Sequence, residues 1–143
     1  MKRFLIFSLF FFLVMAGCGR SGGGGAPAQT APRINSVYFH KDIYADPILR
    51  PLVIGESVYG VIETTDPDLD MTNILITEYW PHDASLPYYG PTIIPLGSQP
   101  DAHMAIIINF VVRGPIGNWR IEFQVEDAQG NESNIFTVYL SVH

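Results

Sequence analysis

The eight residues Trp119-Arg120-Ile121-Glu122-Phe123-Gln124-Val125-Glu126 alternate apolar and polar without a break. On a helix that order scatters the apolar groups around the surface; on a strand it puts all four on one face. The stretch is therefore read as a strand with one buried and one solvated face. Phe136, Val138, Leu140 and Val142 repeat the pattern, and Met104, Ile106, Ile108, Phe110 and Val112 form another inward row with a more apolar outer face. Further strands are expected at Ile34 to His40, Ser57 to Thr64 and Asn73 to Trp80. Tyr88 to Ile94 is a weaker candidate, because Pro91 and Pro95 lack the amide donors of a central strand and suit an edge. No segment sustains a 3.6-residue period with caps.

Turn signals separate these runs at Asp66-Pro67-Asp68, at Gly114-Pro115-Ile116-Gly117-Asn118 and at Asp127-Ala128-Gln129-Gly130-Asn131. About seven short strands with such turns specify an all-β, antiparallel sandwich, with a small barrel as the alternative. Residues 33–143 are the foldable part. A domain of about 110 residues buries roughly 65% of its unfolded surface, enough to fold without disulfide or metal.

Residues 1–32 read differently. Met1-Lys2-Arg3 is a short basic start, and Phe4 to Ala16 is apolar apart from Ser8. That run is 13 residues long, whereas a membrane-spanning helix needs about 20; it reads as the core of an export signal. Leu13-Val14-Met15-Ala16-Gly17-Cys18 follows and resembles the lipobox of bacterial lipoproteins. The resemblance implies cleavage after residue 17 and a lipid on Cys18. More than one acyl chain holds a protein stably to a membrane. Gly19 rather than Asp after the cysteine resembles an outer-membrane address if the envelope is Gram-negative. Residues 18–32 then form the lipidated cysteine and a Gly/Pro-rich tether. Four consecutive glycines and no apolar period make residues 19–32 a flexible chain with an r.m.s. reach of about 20 Å. Cys18 is the single cysteine, which excludes an intrachain disulfide, a CxxC redox pair and a cysteine zinc site.

The domain carries a second resemblance. Residues 117–133, from Gly117-Asn118-Trp119 through the alternating strand to Asp127 and Gly130-Asn131, resemble the last hairpin of bacterial immunoglobulin-like, PKD and cadherin-like domains. Gly55-Glu56-Ser57 and Asp66-Pro67-Asp68-Leu69-Asp70 are similar to the second strand of the same families and the turn after it. The implied fold is an immunoglobulin-like β-sandwich, an architecture that hosts unrelated tasks.

Three kinds of chemistry are open to such a domain. In immunoglobulin order the turns after the second and sixth strands share one end. That brings Asp66, Asp68 and Asp70, with Glu63, towards Asp127 and Asn131, an oxygen-rich set of the kind calcium uses. Asp and Asn are equally turn formers, and Leu69 stands where the related turn has glycine. The second candidate is a partner surface made of Tyr79, Trp80, Tyr88 and Tyr89, since Tyr and Trp join an apolar body to a polar handle. Catalysis is the least supported. His40, His82, His103 and His143 are scattered, with neither a paired metal-ligand spacing nor a nucleophile elbow. No catalytic residue and no obligate cofactor is assigned.

The charge narrows the partners. Removing Lys2 and Arg3 leaves six basic residues against 14 acidic ones, a net charge of −8, and nucleic acid calls for the opposite sign. The expectation is a non-enzymatic envelope lipoprotein whose sandwich serves as a binding or structural module for a protein or glycan. The alternatives are a calcium-dependent, cadherin-like adhesion module and, with least support, a small envelope hydrolase.

Overall fold

The computed structural model describes residues 30–42, 44, 46–83, 85, 87–98 and 101–143. Residues 1–29, which hold Cys18 and most of the segments read as export signal and tether, lie outside the described residues, as does the side chain of Tyr89. Seven strands follow one another: β1 (Arg33–His40), β2 (Ser57–Thr65), β3 (Met71–Tyr79), β4 (Pro87–Pro95), β5 (His103–Val111), β6 (Gly117–Asp127) and β7 (Phe136–Val142). None of the described residues is helical.

The strands form two antiparallel sheets, ordered β1-β2-β5 and β4-β3-β6-β7. The fold is thus an immunoglobulin-like β-sandwich and not a closed barrel. β4 lies at the edge of the four-stranded sheet, where Pro91 and Pro95 cost no ladder donor.

The core follows the alternation. Trp119, Ile121, Phe123 and Val125 point inward from β6, with Ile74 and Ile76 of β3 beside them. Phe39 of β1, Val58 and Ile62 of β2, and Ile106, Ile108 and Phe110 of β5 close the core from the other sheet. Burying each such side chain stabilises the fold by about 1.5–3 kcal/mol. Gly60 is an inward position of β2, and a Cβ there would lie 2.7 Å from the Phe110 ring. The missing side chain is what lets the Phe39 and Phe110 rings meet, with centroids 5.7 Å apart.

The connection between β1 and β2, which carries no strand pattern, closes one side of the sandwich. Leu52 is buried and bridges Val142 of β7 in parallel. Its amide donates to the Ser141 carbonyl at 2.8 Å, and its carbonyl accepts from the His143 amide at 2.9 Å. Arg50 pairs with Glu56 across the turn into β2, and this pair draws the Glu56 carboxyl below its usual range. A second tie joins the sheets near the start of β1. The Asn134 side chain accepts from the Ile34 amide at 3.0 Å and donates to the Ile34 carbonyl at 3.2 Å.

Gly60→Val should lower unfolding free energy by about 1–3 kcal/mol, because two buried rings must move to admit the side chain. Chemical denaturation of the variant beside wild type measures it.

Candidate functional site

The two ends of the sandwich differ in chemistry. Arg33 pairs with Thr65 and Met71 with Asp127, so the chain enters β1 at the end that carries both acidic turns. At this end Asp66, fully buried, acts as a hub. Its carboxylate accepts from the amides of Asp68 (3.3 Å), Asp70 (2.8 Å) and Met71 (3.1 Å). Asp127, 3% exposed, accepts from the amides of Gln129 (2.9 Å) and Asn131 (2.8 Å) and from the Asn131 side chain (2.7 Å). Burial works against its charge, yet these donors outweigh it and hold the carboxyl below the usual carboxylate range.

Asp70 is in the opposite state. Burial, with Asp66, Asp127 and Asp68 nearby, raises its carboxyl, against a hydrogen bond from Gln129. One of its oxygens is buried without a hydrogen-bond partner. Asp68 accepts from the Thr30 amide at 2.6 Å, and Glu63 is engaged by Ser36 on the neighbouring strand. Leu69 does take the left-handed backbone, with φ of 59°, a strained choice for a branched side chain. The structure thus brings Asp66, Asp68, Asp70, Asp127 and Asn131 to one end, and gives the Asp66 and Asp127 carboxylates to backbone amides. Among the described residues no group of three or more His, Cys, Asp or Glu is arranged to hold a metal ion.

The opposite end is apolar and aromatic. Trp119 is buried, and its indole N–H donates to the Pro115 carbonyl at 3.0 Å. Gly114, at φ 112°, makes room for it, since a Cβ there would lie 2.8 Å from the indole. The Tyr88 ring meets Trp119 edge-on at 5.1 Å, and Trp80 meets Tyr88 at 4.0 Å. Trp80 remains 38% exposed. The three rings form a chain from core to surface, each aromatic pair contributing about 0.5–1.5 kcal/mol beyond its area. Tyr79 belongs elsewhere. It lies on the outer face of the sheet, with the Arg120 guanidinium 3.6 Å from its ring centroid and its hydroxyl donating to Glu122 at 2.8 Å. Of the four aromatic residues expected to form one surface, Trp80 and Tyr88 cap the core end, Tyr79 is held by its own sheet, and the Tyr89 side chain lies outside the described residues.

Glu78 is the residue that sequence reasoning passed over. After the irregularity that follows buried Met71, the inward positions of β3 are Ile74, Ile76 and Glu78, paired with Val125, Phe123 and Ile121 of β6. The third rung thus carries a carboxyl where the first two carry isoleucine. The signal was present in the alternation of Ile-Leu-Ile-Thr-Glu. Glu78 is 9% exposed and lines a cavity of about 60 Å³ between the sheets, together with Val58, Phe110, Val112, Trp119 and Ile121. Burial pushes its carboxyl up to about 7, and among the described residues nothing forms a hydrogen bond or ion pair with it.

No known family matches the sequence, and no curated protein matches it either. Solved structures do resemble the fold. A Niemann-Pick type C2 protein from the Japanese carpenter ant superposes with a TM-score of 0.53 at 8% identity, over 82% of this chain and 96% of that one. The PKD domain of an M14-like peptidase from a Thermoplasmatales archaeon gives 0.47 at 19% identity, over 80% and 98%. The soluble domain of PmoD from a Methylocystis species gives 0.44 at 10%, over 75% and 89%. At these identities the likeness concerns the fold.

Two outcomes follow from this geometry. Asp127→Ala should cost about 2 kcal/mol by stripping two amides and the Asn131 side chain of their acceptor. Excess calcium should leave the wild-type melting midpoint where a chelator leaves it. For Glu78, the folded carboxyl titrates near 7 against 4.5 in its ordinary state. The folded protein therefore holds the proton more tightly, and its stability is full below pH 4.5 and falls as pH rises towards 7. Glu78→Gln, which mimics the protonated form, should match wild type at pH 4 and exceed it by about 3 kcal/mol at pH 8. Denaturation of the two proteins at both pH values reads the difference directly.

Proposed function

We propose that this chain is an exported lipoprotein, held to the cell envelope by lipid on Cys18. In this reading its β-sandwich is a non-enzymatic binding or structural module for a protein or glycan partner. One observation carries the orientation. The chain enters β1 beside the acidic turns, with Arg33 opposite Thr65, whereas the exposed Trp80 follows Tyr79 at the far end of β3. A strand of nine residues separates the two ends by roughly 30 Å. The tether thus leaves one end, and the Trp80–Tyr88–Trp119 aromatic chain faces the other way, towards whatever stands beyond the membrane. Aromatic side chains are favoured anchors at such contacts. The Leu13–Cys18 segment supports the anchor itself, and Gly19 after it supports an outer-membrane destination in a Gram-negative envelope.

Expression in a bacterial host with labelled palmitate tests the anchor. Wild type should carry label and sediment with membranes, and Cys18→Ala should lose the label. An unlabelled wild-type protein would overturn the lipoprotein reading.

A further inference from the structure

The cavity beside Glu78 has no part in the lipoprotein reading, and its chemistry points past it. Its walls are apolar side chains from both sheets, among them Val58, Phe110, Val112 and Trp119. It lies at the aromatic end, since Val58 is second in β2, Glu78 penultimate in β3 and Trp119 third in β6. A single carboxyl stands in this wall, nine-tenths buried. A third isoleucine at that rung would have continued the row and filled space. A largely buried carboxyl with no protein partner, its oxygens still touched by solvent, costs folding free energy that a cationic partner would offset.

We propose that this cavity is a binding site for a small aliphatic primary amine, with its chain between the sheets and its ammonium paired with Glu78. The size fits a short chain. About 60 Å³ is room for roughly four waters, well short of the ~150 Å³ that admits a benzene ring. On the same scale about two heavy atoms fill it, and the rest of a longer chain extends through the open end. The charge fits as well. An ammonium donates up to three hydrogen bonds, Glu78 receives none from the described residues, and charge-assisted bonds are among the stronger ones. A ligand carboxylate would meet Glu78 with like charge. Burial has already raised the Glu78 carboxyl, and an ammonium beside it returns the group to its charged form. The other ionisable side chain along the cavity wall is Arg113, which is exposed to solvent.

Trp119 lines the cavity, and the chain has two tryptophans, so Trp80→Phe leaves a reporter at the site. The protein is reconstituted in lipid nanodiscs, with empty nanodiscs as the blank, and titrated at pH 8 with n-butylamine, n-butanol and butyrate. The expected result is saturable quenching by the amine, at least tenfold weaker binding of the alcohol, and none of the acid. Glu78→Gln should weaken the amine at least tenfold while leaving the melting transition cooperative. Binding of the alcohol as tight as the amine would overturn the amine assignment. No saturable change with any probe would overturn the site and leave the cavity to water. Neither result touches the lipid anchor, whose test is separate.

Discussion

Everything in this domain is arranged around the inward row of β6. Trp119, Ile121, Phe123 and Val125 are each buried by strands on both sides and by the sheet opposite. A slip of one residue would turn Arg120, Glu122, Gln124 and Glu126 into the core, so the register of β3 and β7 on β6 is fixed by the cost of burying charge. The ends of the strand are held just as firmly. Gly114 leaves room for the Trp119 indole, and Gly117, at φ 143°, lies where a Cβ would meet Pro81. At the other end Asp127 ties the turn that follows through three donors. The same strand thus determines the core, the acidic end and the aromatic end.

That dependence explains which features were legible in the sequence. The strands were, because a half-buried strand writes its two faces into alternate residues, and Trp119 to Glu126 of β6 do so without a break. The meeting of the Asp66 and Asp127 turns was legible through the order of strands. What the carboxylates do there was not, because Asp serves a turn or an ion with the same oxygens; the structure shows Asp66 and Asp127 accepting from the amides of Asp70, Met71, Gln129 and Asn131. The β1–β2 connection was silent for a different reason. Its contribution is a backbone bridge from Leu52 to Val142, 90 residues away, and backbone pairing leaves no side-chain pattern. Tyr79 and Trp80 are neighbours in sequence, and alternation alone sends them to different surroundings. Glu78 obeyed the alternation, and the pattern asked for an apolar residue where the chain supplies an acid.

The two ends divide the electrostatics as well as the shape. Charge at the chain-entry end serves local order: Asp66 and Asp127 supply acceptors for amides that the turns leave without a ladder partner. Charge is sparse inside the aromatic end: Glu78 sits among mostly apolar walls, with no hydrogen bond to it among the described residues, and Arg113 lies along the same cavity but is exposed to solvent. A sandwich of this size has little stability to spare. The position of Glu78 is therefore the feature that most needs a chemical reason, and a ligand that brings a cation is such a reason.

Glu78 is largely buried, has no hydrogen-bond partner among the described residues and lies in line with the Ile74–Ile76 row. The direct measurement is an NMR titration of its side-chain carboxyl carbon, assigned by comparison with Glu78→Gln. A midpoint near 7 is the predicted result. A midpoint near 4.5, the ordinary value, would mean that the carboxylate reaches water or a cation in the folded protein, and would contradict both the apolar cavity and the inward register of β3.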